Sequence, residues 1–246
     1  MSADVELRGA RCLVTGASGG IGQAIARRLA DEDALVVALG RDAHALADVG
    51  ERAVVCDLVA PESVARAAAE AGEVDVLVNN AGIGWAGPFS GVSPEDAERL
   101  INVNLVAPVL LTRALLPGML ERRRGHVVNV ASIVGHTGAR GEAVYAATKG
   151  GLVAFSESLR LELAGSGVAV SLVTPGVVDT AFFERRGSPY ARSWPRPLPP
   201  ERVAEAVVRA VRSERAEVFV PRWLGAPALM RRMMPGVFRV LAARFG

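Results

Sequence analysis

The stretch Thr15-Gly16-Ala17-Ser18-Gly19-Gly20-Ile21-Gly22 constrains this chain more than any other. It follows an apolar run of strand character, Ala10 to Thr15, and opens a segment of helical periodicity from about Ile21 to Asp31. Glycines let a backbone turn tightly and approach a ligand closely. The first turn of a helix presents unpaired N–H groups that favour an anion. A strand that ends in such a turn and leads straight into a helix predicts the phosphate-binding corner of a nucleotide-binding sheet.

The rest of the chain continues the alternation. Strands are expected at Ala34–Leu39, Ala53–Cys56, Val74–Asn79, His126–Ser132, Val168–Thr174 and Glu217–Val220. Helices are expected at Val64–Ala71, from Ser93 to about Leu116, at Glu142–Ala164 and at Glu201–Arg212. Ser93-Pro94-Glu95-Asp96 is a strong helix start, with a Ser cap, Pro in the first position and acids in the first turn. This alternation predicts βαβ units, a parallel sheet with helices on both faces, and one domain over residues 1–246. Half the residues are hydrophobic and few are aromatic, which suits helices packed on such a sheet. Phe182 to Pro200, with five prolines, is expected to be an insertion over a binding site.

The net charge of +2 demands no nucleic-acid partner. Cys12 and Cys56 lie in apolar runs and are expected to be buried free thiols, with no disulfide framework and no metal-ligand spacing. Met1–Arg8 lacks the apolar core of a signal peptide, and no stretch is expected to reach the ~20 apolar residues of a membrane span. A cytoplasmic protein is the resulting expectation. Lysine and arginine together number 28, yet Lys149 is the only lysine. Arginine can neither shed its charge nor act as a compact point donor, so a lone lysine in such a chain suggests a specific duty.

With glycines at 16, 20 and 22, the turn resembles that of the short-chain dehydrogenase/reductase superfamily. The resemblance continues through Asp57, which follows the third strand, and through Asn79-Asn80-Ala81-Gly82. Asn104, Ser132, Tyr145 and Lys149 match the order and spacing of that family's catalytic tetrad, and Pro175-Gly176 with Val178 and Thr180 matches its later Pro-Gly motif. The pattern fades after about Phe183. The resemblance implies a Rossmann-type, doubly wound, seven-stranded parallel sheet. It also implies a cofactor site of Gly16, Ser18, Gly20, Ile21, Gly22, Arg41, Asp57, Leu58, Asn79, Ala81, Gly82, Tyr145, Lys149, Pro175, Gly176, Val178 and Thr180. A homodimer or homotetramer built through the helices near 93–116 and 142–164 is a further implication.

The chemistry implied is interconversion of a carbonyl and an alcohol by hydride transfer. Tyr145 and Lys149, four apart, share a helix face. A phenol with a pKa of ~10 is a poor base near neutrality. An ammonium ~4 Å away, at an effective dielectric of ~20, supplies the roughly 4 kcal/mol that lowers it to ~7. Ser132 is expected to orient the substrate oxygen, and Tyr145 to exchange the proton as general acid or base. Pro108 has no N–H for the carbonyl of Asn104, so the helix should kink there. In the family, that carbonyl holds a water linking the lysine to solvent.

At the end of the second strand, Gly40-Arg41 replaces the carboxylate of NAD-preferring relatives, which favours NADP(H). Asp42 leaves NAD(H) open. Trp85, Phe89, Phe182, Phe183 and Trp194 are expected to wall an apolar pocket for a lipophilic carbonyl or alcohol, with Arg185 and Arg186 solvated. Residues 226–246 form a basic amphipathic segment that Pro235 divides into two short helices. Docking on protein is the leading expectation for it, with peripheral contact on an anionic membrane as the alternative. His44, His126 and His136 receive no role. A non-catalytic nucleotide-binding or scaffold protein is the competing functional reading, which an intact tetrad disfavours. An enzyme acting on a C–C double bond or an epimerisable centre is a third, whose members often depart from the tetrad.

Overall fold

The structure is a computed structural model that describes residues 5–245, and side chains as far as Ala242. In chain order the elements are β1 (Arg11–Thr15), α1 (Gly20–Ala30), β2 (Leu35–Gly40), α2 (Ala43–Leu46), β3 (Arg52–Val55), α3 (Pro61–Ala71) and β4 (Val76–Asn79). The second half runs α4 (Pro94–Ile101), α5 (Ala107–Glu121), β5 (Gly125–Val130), α6 (Val134–Thr137), α7 (Ala143–Glu162) and β6 (Val168–Pro175). It continues through α8 (Phe182–Arg185), α9 (Glu201–Ser213), β7 (Glu217–Val220), α10 (Gly225–Met233) and α11 (Pro235–Phe245).

The seven strands form one sheet in the order β3-β2-β1-β4-β5-β6-β7, parallel throughout. Helices cover both faces, which explains why the central strands are near-continuous apolar runs. One buried cluster, with Ile25, Leu29, Val207 and Val211, lies under α1 and α9. The other, with Leu77, Leu111, Met119 and Leu159, lies under α3, α5 and α7. Strand order reverses between β1 and β4. In open α/β sheets ligands bind in the crevice beyond the carboxyl ends of the strands at such a switch point.

Ser93 caps α4 as expected, its Oγ accepting from the Asp96 N–H at 3.0 Å. From Pro94 to Glu121 the chain is helical for 28 residues, and this stretch is long and apolar enough to cross a membrane. The expectation that no stretch reaches such a length is therefore corrected. Leu111, Thr112, Leu115 and Met119 of this helix are buried in the domain. Between α4 and α5, residues Asn102–Val106 form a π-turn in which the Ala107 N–H reaches the Asn102 carbonyl. The missing N–H of Pro108 thus shows itself as a widened turn. Cys12 and Cys56 are free and buried. Residues 226–245 form two helices separated at Met234. The end of the expected amphipathic segment, residues 243–246, lies outside the described side chains.

Candidate active site

Thr15, the last residue of β1, fastens the switch point. Its Oγ1 accepts the N–H groups of Asn80 at 3.0 Å and Ala81 at 2.9 Å. Asn80 Nδ2 in turn donates to the Thr15 carbonyl at 2.9 Å. The glycine turn lies against this junction. A Cβ on Gly22 would stand 2.1 Å from the Gly16 carbonyl oxygen and 2.6 Å from Asn80 Nδ2, so no side chain fits. Gly16 has φ +69°, and a Cβ on it would stand 2.9 Å from the Ala81 Cα. The first turn of α1 contains no acid, which leaves its N–H groups to an anionic ligand. This cradle fits a dinucleotide pyrophosphate.

One cavity of about 1590 Å³ runs from this turn across the ends of the strands. Every residue expected at the site lines it except Asn79 and Asn104. Asn79 is buried in the core, its Nδ2 donating to Asn129 Oδ1 at 2.9 Å and to Thr112 Oγ1 at 3.3 Å. Asn104 is a clamp. Its side chain pairs with both the N–H and the C=O of Ile83 at 2.9 Å and donates to Thr148 Oγ1 at 3.2 Å. It thereby holds the Ala81-Gly82-Ile83 strand exit against α7.

At one end of the cavity, Arg41 is exposed on the rim. A Cβ on Gly40 would lie 3.4 Å from Ser18 Oγ, so Ser18 and the end of β2 share one corner. Asp42 does not line the cavity. Its carboxylate caps α2, accepting from the N–H groups of His44 and Ala45 at 3.0 and 3.2 Å.

At the other end, Ser132, Tyr145 and Lys149 meet, all buried. Burial pushes the Tyr145 phenol well above its ordinary value, while a hydrogen bond with the Ser132 side chain pulls it back in part. Lys149 Nζ donates to the Val130 carbonyl at 3.0 Å and lies 5.9 Å from the Tyr145 ring centroid. Burial lowers its pKa from 10.5 to about 8. The lowering of the phenol expected from Lys149 is opposed here by burial. Desolvation dominates, and the ammonium is directed at a backbone oxygen.

The residues from Phe182 to Tyr190 stand over this end. The longer loop that contains them is closed at its base, with the Leu198 N–H donating to the Val177 carbonyl and the Asp179 N–H to the Leu198 carbonyl. Phe182 packs on Tyr145 with ring centroids 5.5 Å apart, and Phe183 packs on Tyr190 at 5.3 Å. Trp85 also lines the cavity, but Phe89 and Trp194 lie at the surface, each 68% exposed.

Arg186 corrects an expectation. Far from solvated, it is largely buried, pairs with Glu142 at 2.5 Å and lies over the Phe183 ring at 4.6 Å. Glu142 stands three residues before Tyr145, and that spacing was available in the sequence. Arg186 is 44 positions away, and no local pattern links them. His136 likewise has partners, with Nε2 lying 2.9 Å from Glu217 Oε1.

Residues 10–191 match the family model described as short chain dehydrogenase. The ketoacyl reductase HetN of Nostoc sp. is 37% identical over 227 residues, covering 87% of this chain and 79% of the relative. A short chain dehydrogenase from Burkholderia cenocepacia in complex with NADP superposes with a TM-score of 0.85 at 28% identity, over 97% of this chain and 99% of that one. One from Burkholderia phymatum in complex with NAD gives a TM-score of 0.85 at 25% identity, over 95% and 96%. The parallel sheet and the motifs along it have one origin: the chain belongs to the short-chain dehydrogenase/reductase family and is an NAD(P)-dependent oxidoreductase.

Proposed function

We propose that this enzyme is an NADP(H)-dependent reductase of a lipophilic ketone or aldehyde, with Tyr145 as the proton donor. The observation that carries the reading is the meeting of Ser132, Tyr145 and Lys149, all buried, at one end of the large cavity beneath Phe182. A protonated phenol is fit to give its proton to a carbonyl oxygen that is becoming an alkoxide. The bound nicotinamide supplies the hydride. Ser132 would orient the carbonyl oxygen, and Lys149 would hold the ribose and stabilise the phenolate left when the proton departs. Gly16, Ser18, Gly20, Ile21 and Gly22 would receive the pyrophosphate, and Asp57 and Leu58 the adenine. Pro175, Gly176, Val178 and Thr180 would receive the carboxamide, with Ala81 and Gly82 beneath.

Arg41 and Ser18, beside a Gly40 that leaves room, support a preference for a 2′-phosphate. Asp42 is engaged in capping α2 and so does not compete for the ribose hydroxyls. Phe182, Phe183, Trp85 and Tyr190 support an apolar substrate, with residues 182–200 acting as its lid. Partly exposed Ile101, Leu120 and Leu161 on α4, α5 and α7 support a homodimer or homotetramer through those helices. Unpaired buried thiols suit a reducing, cytoplasmic setting.

NADPH oxidation over a panel of ketones, aldehydes and quinones tests the reading, with Tyr145→Phe as control. Turnover that vanishes in the variant supports it. Tight NADPH binding with no turnover on any carbonyl class overturns it.

A further inference from the structure

After Glu217 the sequence contains five arginines and no acidic residue, although Asp and Glu together number 26 in the chain. The remainder of the protein therefore carries more acids than bases, and its positive charge is concentrated at one end. This end is α10 and α11. They rest on the domain through small contacts, with Ala228 of α10 and Leu224 just before it buried. Except for half-buried Phe238, their larger described apolar side chains point outward, with Leu229 58%, Met233 73% and Val240 70% exposed, alongside Met234, Val237 and Leu241. An ordinary amphipathic helix buries that stripe against its own core.

The patch extends toward the cavity mouth. Trp223, just before α10, stacks on Trp194 of the 182–200 segment with centroids 5.2 Å apart and planes 22° apart, and both rings are exposed. Pro195 next to Trp194, and Ala242 of α11, line the large cavity itself. Between the two helices and α6, a separate cavity of about 240 Å³ is lined by Arg231, Arg232 and Arg239 with His136, Pro235 and Phe238.

We propose that α10 and α11 dock this enzyme on an anionic membrane surface, with the cavity mouth at the lipid interface. Exposed apolar side chains would enter the acyl boundary, tryptophans would sit at headgroup depth, and the arginine-lined cavity would receive a lipid phosphate. Charge selects this occupant. A second copy whose α10 and α11 met these across a two-fold axis would set arginine against arginine, with no acid in the segment to relieve it. This surface reading does not depend on the reductase reading. Only its corollary does, that the substrate is a carbonyl dissolved in the bilayer.

The test is cosedimentation of the full-length protein with vesicles of phosphatidylcholine alone or with phosphatidylglycerol, at two salt concentrations. Binding to the anionic vesicles is expected, at least tenfold above the zwitterionic ones, weakened by salt and accompanied by a blue shift of tryptophan emission. Arg232→Gln/Arg239→Gln should reduce partitioning about thirtyfold, and Met233→Glu/Val240→Glu should abolish it. Both variants should keep the wild-type thermal unfolding midpoint within a few degrees. Equal partitioning to both vesicle types, or none to either, overturns the proposal. So does an oligomer that Met233→Glu/Val240→Glu dissociates while vesicles bind nothing.

Discussion

Arg186 Nη1 lies 2.5 Å from Glu142 Oε1, and this pair joins the segment beyond β6 to the residue preceding α7, the helix that carries Tyr145 and Lys149. Their side chains are 10% and 16% exposed, so the pair is only weakly screened. Removing either partner leaves a poorly solvated charge near Tyr145. Arg186→Met and Glu142→Gln should each raise the substrate KM about tenfold or more while changing the NADPH Kd little. A double-mutant cycle in urea should return a coupling of roughly 1–3 kcal/mol. A coupling near zero would show that the pair does not hold the segment.

The titration of Lys149 sets the alkaline side of the pH profile. Its pKa is lowered, so the ammonium is present below about pH 8 and lost above it. The reductive kcat/KM should therefore fall as pH rises through about 8. Lys149→Arg should lower kcat/KM at least a hundredfold, because the wider guanidinium does not fit the slot against the Val130 carbonyl, and should remove that limb. Tyr145→Phe should cost 10²–10⁴ in kcat with NADPH binding intact, as expected for loss of a general acid.

Cofactor preference should reside in one side chain. Arg41 is the basic residue lining the cavity at the end of β2, beside Ser18. A charge-assisted hydrogen bond contributes about 1.5–3 kcal/mol, which corresponds to a change of roughly ten- to a hundredfold. Arg41→Asp should raise the KM for NADPH by that factor and invert the NADPH/NADH ratio. Unchanged KM values for both cofactors would remove Arg41 from the site.

His126 should make stability depend on acid. Ser171 Oγ donates to the Arg215 carbonyl at 2.7 Å, so His126 Nε2, 2.8 Å away, must carry the proton that Ser171 accepts. Its Nδ1 is buried without a partner among the described residues. Burial lowers the pKa from 6.5 to about 4. The unfolded chain binds the proton more readily, so this contribution is complete above pH 6.5 and is lost as pH falls toward 4, for about 3 kcal/mol in all. The stability difference between His126→Val and wild type, from urea unfolding at pH 7.5 and 4.5, should shift by most of that amount, roughly 2–3 kcal/mol, in favour of the variant at the lower pH.

The π-turn at 102–106 depends on Pro108. Pro108→Ala restores an N–H that can reach the Asn104 carbonyl, and an ordinary α-turn should form. Because Asn104 also clamps Ile83 and Thr148, turnover should slow and the alkaline limb should move. An unchanged pH–rate profile would separate the turn from proton transfer.

Local chemistry determined much of this protein before any contact was known. The glycine turn has one conformational use, and Gly16 and Gly22 occupy positions where a Cβ would collide with backbone. The five central strands were legible because a strand buried on both faces must be apolar, and the start of α4 because Ser93-Pro94 is a strong helix start. Periodicity and spacing report neighbours along the chain, and so they reached the glycine turn and the residues of α7.

Tertiary structure alone decided the rest, because those relations join residues distant in sequence. It moved Asn79 into a core hydrogen-bond chain and made Asn104 a clamp on Ile83. It directed Lys149 to Val130 and set burial against the charge effect expected at Tyr145. It paired Arg186 with Glu142, where composition suggested solvent, and it turned Leu229, Met233, Val237 and Val240 of α10 and α11 outward. Burial and pairing set the charge and duty of a side chain, and both are properties of packed space, which a linear pattern encodes only where the partners lie within a few turns of one another.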